Sequence, residues 1–251
     1  MLQPSLFCLR KSLQRASSAI KQNGGGNPNL ASQAGSLNVY EIDQSDGSTS
    51  AGNLTQTILT TSGGNGTIPF SFTFDDEGNL LLAEVAGAAA VLPPDNGGQV
   101  NVISDIDTPS PMVDFEEPTD SAASCWIEYN PLLSCVYVTN NVGNSISSFT
   151  LSDEKELDLV SNKTALLNAP IDMVQSPDFK YLYALSTGHT GETEQTPLGQ
   201  PSIYVYEMEC DCTLKEIQVV TDGLLNETVR NETDGGVNGY AGLSMFTGLL
   251  N

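Results

Sequence analysis

Few side chains in this 251-residue chain are of a type that does chemistry, and they are scattered. Glu84 ends an otherwise apolar run, Leu80 to Ala83. Burial raises the pKa of a carboxyl so placed and suits it to general acid or base work, which makes Glu84 the catalytic candidate. A carboxylate bonded to neighbouring backbone would account for the same residue. His189 is the single histidine and opens a polar stretch, Gly188 to Gly199. It reads either as a ligand contact or as an exposed loop residue, and one histidine cannot build a histidine metal cluster. Trp126 can line a ligand site or pack in a core. Asp75-Asp76-Glu77 and Asp105-Ile-Asp107 offer the oxygen ligands calcium takes, without the spacing of a defined calcium loop, and turn chemistry explains the first group. No other cofactor is indicated, because phosphate-loop, serine-elbow and metalloprotease motifs are missing.

The five cysteines, Cys8, Cys125, Cys135, Cys210 and Cys212, are too irregular for a disulfide framework. Cys125 and Cys135 flank a turn at Asn130-Pro131, so they form either a cross-strand disulfide or two buried thiols. Cys210-Asp-Cys212 lacks the second pair that zinc requires. Sequons at Asn53, Asn65, Asn162, Asn226 and Asn231 permit N-glycosylation, at a number close to what this composition yields by chance.

Net charge is −22, and four of the nine basic residues (Arg10, Lys11, Arg15, Lys21) precede the first acid, Glu41. So acidic a surface repels phosphate backbones and anionic lipid, which excludes nucleic acid and membrane surfaces as partners and leaves a small molecule or a protein. No apolar run is long enough for a spanning helix. Residues 1–34 read as a disordered or leader segment with a weak mitochondrial character. The compartment stays open between secreted and cytoplasmic.

The elements that must position these residues repeat. Phe72-Thr-Phe-Asp-Asp-Glu-Gly-Asn-Leu-Leu-Leu82, Ile127-Glu-Tyr-Asn-Pro-Leu-Leu-Ser-Cys-Val-Tyr137 and Met173-Val-Gln-Ser-Pro-Asp-Phe-Lys-Tyr-Leu-Tyr183 are each strand, polar turn, strand. A third strand follows each one, as at Gln99, Ser145 and Ser202, and it also stands near the start as Ser36-Leu-Asn-Val-Tyr-Glu-Ile. Equivalent turns lie 55 and then 46 residues apart, the period of four-stranded propeller blades. The fold class is therefore all-β: a β-propeller of four-stranded antiparallel blades over 35–246. The units expected are a partial blade at 35–60, blades at 67–120, 121–167 and 168–220, and an inner strand of a further blade at 239–246. Closed propellers have about four to eight blades, so the ring is expected to be incomplete, and the complete protein to be a monomer.

The order of motifs resembles the lactonase-like seven-bladed propellers, the family of bacterial-type 6-phosphogluconolactonase and carboxy-muconate cyclase. The resemblance rests on Ile68-Pro-Phe-Ser-Phe-Thr-Phe-Asp with Leu82-Ala-Glu-Val-Ala, Ala122-Ala-Ser-Cys-Trp126, Val136-Tyr-Val-Thr-Asn140, Ala169-Pro-Ile-Asp-Met-Val and Gly239-Tyr-Ala-Gly-Leu. It implies the C-terminal part of such a ring, acting on a lactone or cyclising a small organic acid. Glu84 falls where related sequences carry a glutamate, and Trp126, Asn140, Asp172 and His189 become the ligand-binding candidates. Anionic substrates need cations to hold them, yet no arginine lies between Arg15 and Arg230. That departure favours the alternative of a non-catalytic scaffold that binds protein or glycan through rim loops.

Overall fold

The computed structural model describes residues 8–9, 15–20, 35–43, 50–60, 68–85, 99–104, 112–119, 123–186 and 201–221. They form sixteen strands and no helix. Apolar residues alternate with polar ones in short runs closed by Asp, Asn, Ser and Gly turns, and strands that bury alternating side chains follow from that pattern. Each of four sheets is an antiparallel meander of four strands in chain order.

The first sheet holds β1 (Cys8–Leu9), β2 (Arg15–Ile20), β3 (Gly35–Asp43) and β4 (Ser50–Thr60). The second holds β5 (Ile68–Phe74), β6 (Leu80–Val85), β7 (Gln99–Ser104) and β8 (Met112–Pro118). The third holds β9 (Ser124–Asn130), β10 (Cys135–Asn140), β11 (Ser145–Leu151) and β12 (Leu157–Leu166). The fourth holds β13 (Pro170–Gln175), β14 (Tyr181–Ser186), β15 (Ser202–Met208) and β16 (Leu214–Val220).

The sheets stack in chain order, with the inner strands β5, β9 and β13 side by side. This is the blade architecture expected from the repeat. The start of the chain differs from expectation: β1 and β2 lie within the stretch read as a leader, and β2 pairs with β3 from Arg15↔Glu41 to Ile20↔Ser36. Pairing there supplies the hydrogen-bond partners that an edge strand at 35–43 would otherwise lack. The inner strand expected at 239–246 lies outside the described residues.

Two apolar layers fill the joints between sheets. Leu81, Val100, Ile127, Val136 and Phe149 meet between the second and third sheets. Tyr137, Ile146, Met173, Leu182, Tyr206 and Met208 meet between the third and fourth. Each large side chain so buried contributes about 1.5–3 kcal/mol. Period-two alternation divides β10 between the two layers: Val136 and Val138 face one joint, Cys135 and Tyr137 the other.

The strand register corrects the cysteine expectation. The β9–β10 ladder sets Cys135 opposite Asn130, five positions along the strand from Cys125, so the two cysteines sit at opposite ends of β9 and are too far apart to bond. Cys135 is instead bonded to Cys212 of the fourth sheet, across 77 residues of sequence. The Cys125 thiol is buried and donates to the Ala123 carbonyl at 3.3 Å, and Cys210 is exposed outside the disulfide.

The turns after the inner strands share a form. Asp75 and Gly78 close one with a hydrogen bond of 3.1 Å, and Ser176 and Phe179 close another at 2.9 Å. The last residue takes the left-handed region, φ 85° at Gly78 and 56° at Phe179. Glycine enters that region freely, whereas a side chain there costs about 1–2 kcal/mol.

Candidate functional site

Because β5, β9 and β13 lie side by side, their last residues and the turns that follow meet at one end of the stack. There they enclose a cleft of about 420 Å³. The second sheet contributes Phe74, Asp75 and Asp76, the third Glu128 and Tyr129, and the fourth Gln175, with Phe179 from the turn after it.

Glu128 is the cleft carboxyl whose proton affinity the fold changes most. Its carboxyl is pushed up to about 7, chiefly by burial and secondarily by the charge of Asp172, while hydrogen bonds from Gln175 and Trp126 oppose the rise. Such a group exchanges its proton near neutrality, as a general acid–base catalyst must. Gln175 fixes its position: Nε2 donates to Glu128 Oε2 at 3.0 Å and to the Tyr129 carbonyl at 2.7 Å. The Tyr129 hydroxyl is hydrogen-bonded to Asp76, and burial followed by that carboxylate holds its pKa above the ordinary tyrosine value.

The candidates read from the sequence separate into groups. Trp126 and Asp172 stand beside Glu128. Asp172 is 1% exposed, on the inner strand β13. Asn140 belongs elsewhere, in a buried network of the third sheet that also reaches Thr119. Its Oδ1 accepts from Ser124 at 3.0 Å, and its Nδ2 donates to Ser145 at 3.2 Å and Ser147 at 2.8 Å. With 0% exposure, Asn140 joins three strands and offers a ligand nothing. Glu84 is also 0% exposed, on β6, opposite Pro69 and Gln99 and outside the cleft lining. His189 lies outside the described residues.

Turn chemistry claims the carboxylates weighed for calcium. Asp75 accepts from the Asn79 backbone and side-chain amides, each at 2.7 Å. Lys155 reaches from the third sheet to Asp75 at 3.3 Å and Glu77 at 3.1 Å. Among the described residues no group of three or more His, Cys, Asp or Glu is arranged to hold a metal, and no helix is long and apolar enough to cross a membrane. Asp105 and Asp107 lie outside the described residues. Of the sequons, Asn162 is partly exposed on β12 and Asn53 falls on β4; Asn65, Asn226 and Asn231 are outside the described residues.

Glu128 and Gln175 were passed over in the sequence although a signal was there. Superposing the three half-repeats aligns Phe72-Thr-Phe, Ile127-Glu-Tyr and Met173-Val-Gln. Glu128 is then the one charged residue at a position held elsewhere by Thr73 and Val174.

No protein-family model matches the chain, and no curated protein matches it in sequence. Solved structures do match in fold. A Lactobacillus plantarum protein is 13% identical with a TM-score of 0.60, over 87% of this chain and 57% of its own. A periplasmic gluconolactonase of Pseudomonas aeruginosa is 12% identical with a TM-score of 0.55, over 86% of this chain and 56% of its own. A putative 6-phosphogluconolactonase of Bacteroides fragilis is 18% identical with a TM-score of 0.52, over 86% and 56%. The chain therefore shares the β-propeller fold of these structures, and it spans a little over half their length.

Proposed function

We propose that this chain is part of a lactone-hydrolysing propeller, with Glu128 as its acid–base group. The observation that carries the reading is a carboxyl poised near neutrality at a cleft where three inner strands converge. The lactonases among its fold neighbours support the choice of a cyclic ester as substrate, although fold alone does not assign chemistry. In this reading ionised Glu128 takes a proton from a water molecule as its oxygen attacks the lactone carbonyl. The protonated carboxyl then returns that proton to the ring oxygen as the carbon–oxygen bond breaks, giving the hydroxy acid. Gln175 and Trp126 hold the carboxyl in place, and Asp172 keeps its proton affinity high.

Turnover of a lactone panel by the protein, compared with Glu128→Gln and Glu84→Gln, tests the assignment. The expected result is a loss of at least about a hundredfold in kcat for Glu128→Gln, and in the unaltered protein a rate that rises with pH through about 7. A loss confined to Glu84→Gln would move the role to Glu84. Ligand binding with no turnover by any form would leave a non-catalytic binding propeller.

A further inference from the structure

The cleft has an unbalanced set of hydrogen-bonding groups. Both Nε2 hydrogens of Gln175 are taken, by Glu128 and by the Tyr129 carbonyl. A carbonyl can only accept, so the amide cannot be turned over, and its oxygen is left on the other side. That oxygen, Oε1, is itself buried and has no hydrogen-bond partner, on a residue that is 8% exposed and lines the cleft. Asp76 and Glu128 add two more acceptors to the lining, which among the described residues contains no lysine, arginine or histidine. Of the lysines in the adjoining turns, Lys155 is engaged by Asp75 and Glu77, and Lys180 is paired with Asp178. Phe74, Tyr129 and Phe179 supply aromatic surface around these acceptors.

We infer that the cleft binds an ammonium group carried on a small apolar body. An ammonium brings three donors and no acceptor, which complements surplus acceptors, and its charge is attracted to carboxylates and aromatic faces. A phosphate or carboxylate presents only acceptors to the same lining. The inference shares its cleft with the proposed reaction and deepens that reading: among lactones, the site selects an amino-substituted ring over a phosphorylated one. Binding alone is required for it, not turnover.

Titration calorimetry of the whole protein with benzylammonium, benzyl alcohol and benzoate tests it. Benzylammonium is expected to bind at one site about tenfold or more tightly than benzyl alcohol, with benzoate weakest. Asp76→Asn changes an exposed turn residue and leaves the packing intact, and it should cut the ammonium preference severalfold, as should Gln175→Leu. Glu154→Gln, an exposed change outside the cleft, should leave the preference as it was. Equal binding of benzoate and benzylammonium, or an equal loss in Glu154→Gln, would overturn the inference by reducing it to general surface charge. Absence of lactone turnover would count against the reaction and not against this site.

Discussion

The two joints that flank the third sheet are built from the same repeat and held in different ways. Between the second and third sheets, aliphatic side chains and Phe149 make the layer, and Lys155 clamps the rim through Asp75 and Glu77. Buried polar contact there includes Ser71 donating to the Cys125 carbonyl at 2.7 Å. Between the third and fourth sheets the layer carries tyrosines, methionines and a disulfide, and amides bridge it. Asn130 Nδ2 donates to the Phe179 carbonyl at 2.9 Å, and Gln175 binds both Glu128 and the Tyr129 backbone. The first joint is apolar packing with an electrostatic rim. The second joint places polar groups inside, where each needs a defined partner, and it is the one that carries Glu128, the carboxyl raised to about 7. A stacked repeat can thus fill one joint with apolar packing and the next with buried polar groups without changing its backbone.

Cutting the second joint should cost the most. Replacing Cys135 and Cys212 together by alanine releases a closed loop of 77 residues, and chain entropy sets the expected loss at about 4 kcal/mol. Denaturant unfolding with and without reductant reads it, and equal midpoints would show that the disulfide does not brace the joint.

Next comes Glu128. Its pKa is raised on folding from 4.5 to about 7, so the folded state binds the proton more tightly than the unfolded chain does. The resulting stability is complete below about 4.5 and is lost as pH rises through about 7. Asp172 on β13 is the charged group named against it, while Gln175 and Trp126 face it as donors. Glu128→Gln carries no such dependence, so its advantage over the unaltered protein should grow by about 2–3 kcal/mol between those pH values. Parallel stability curves for the two proteins would place the carboxyl in open solvent.

The smallest effect belongs to the first joint. Lys155→Met removes the clamp but leaves Asp75 its Asn79 donors, at an expected cost of about 1 kcal/mol. Urea midpoints measured at low and high salt check this, since added salt should narrow the difference. A cost as large as that of losing the disulfide would erase the contrast between the joints.

The blades could be read in the sequence because alternation and turn residues are local signals. Phe72-Thr-Phe followed by Asp-Asp-Glu-Gly states both a strand and its stop. The site was less legible because it depends on which face of which strand meets the next sheet. Trp126 and Asp172 were named as ligand contacts, yet Glu128, two residues from Trp126, was read only as part of a repeat. Asn140 looked like a ligand contact because its polarity shows in the sequence, whereas the serines that consume its hydrogen bonds come from two other strands. The cysteine pairing failed for a similar reason. Nearness in a hairpin suggested Cys125 and Cys135, but the register sets Cys135 opposite Asn130, at the far end of β9 from Cys125, and the true partner is a sheet away.

The bond between Cys135 and Cys212 also closes the backbone from β10 to the turn before β16 into a covalent ring. The stretch from Gly188 to Gly199 lies wholly inside that ring. A protease that cuts the chain once within it opens a circle without dividing the molecule, and the two resulting pieces stay one species until a reductant is added.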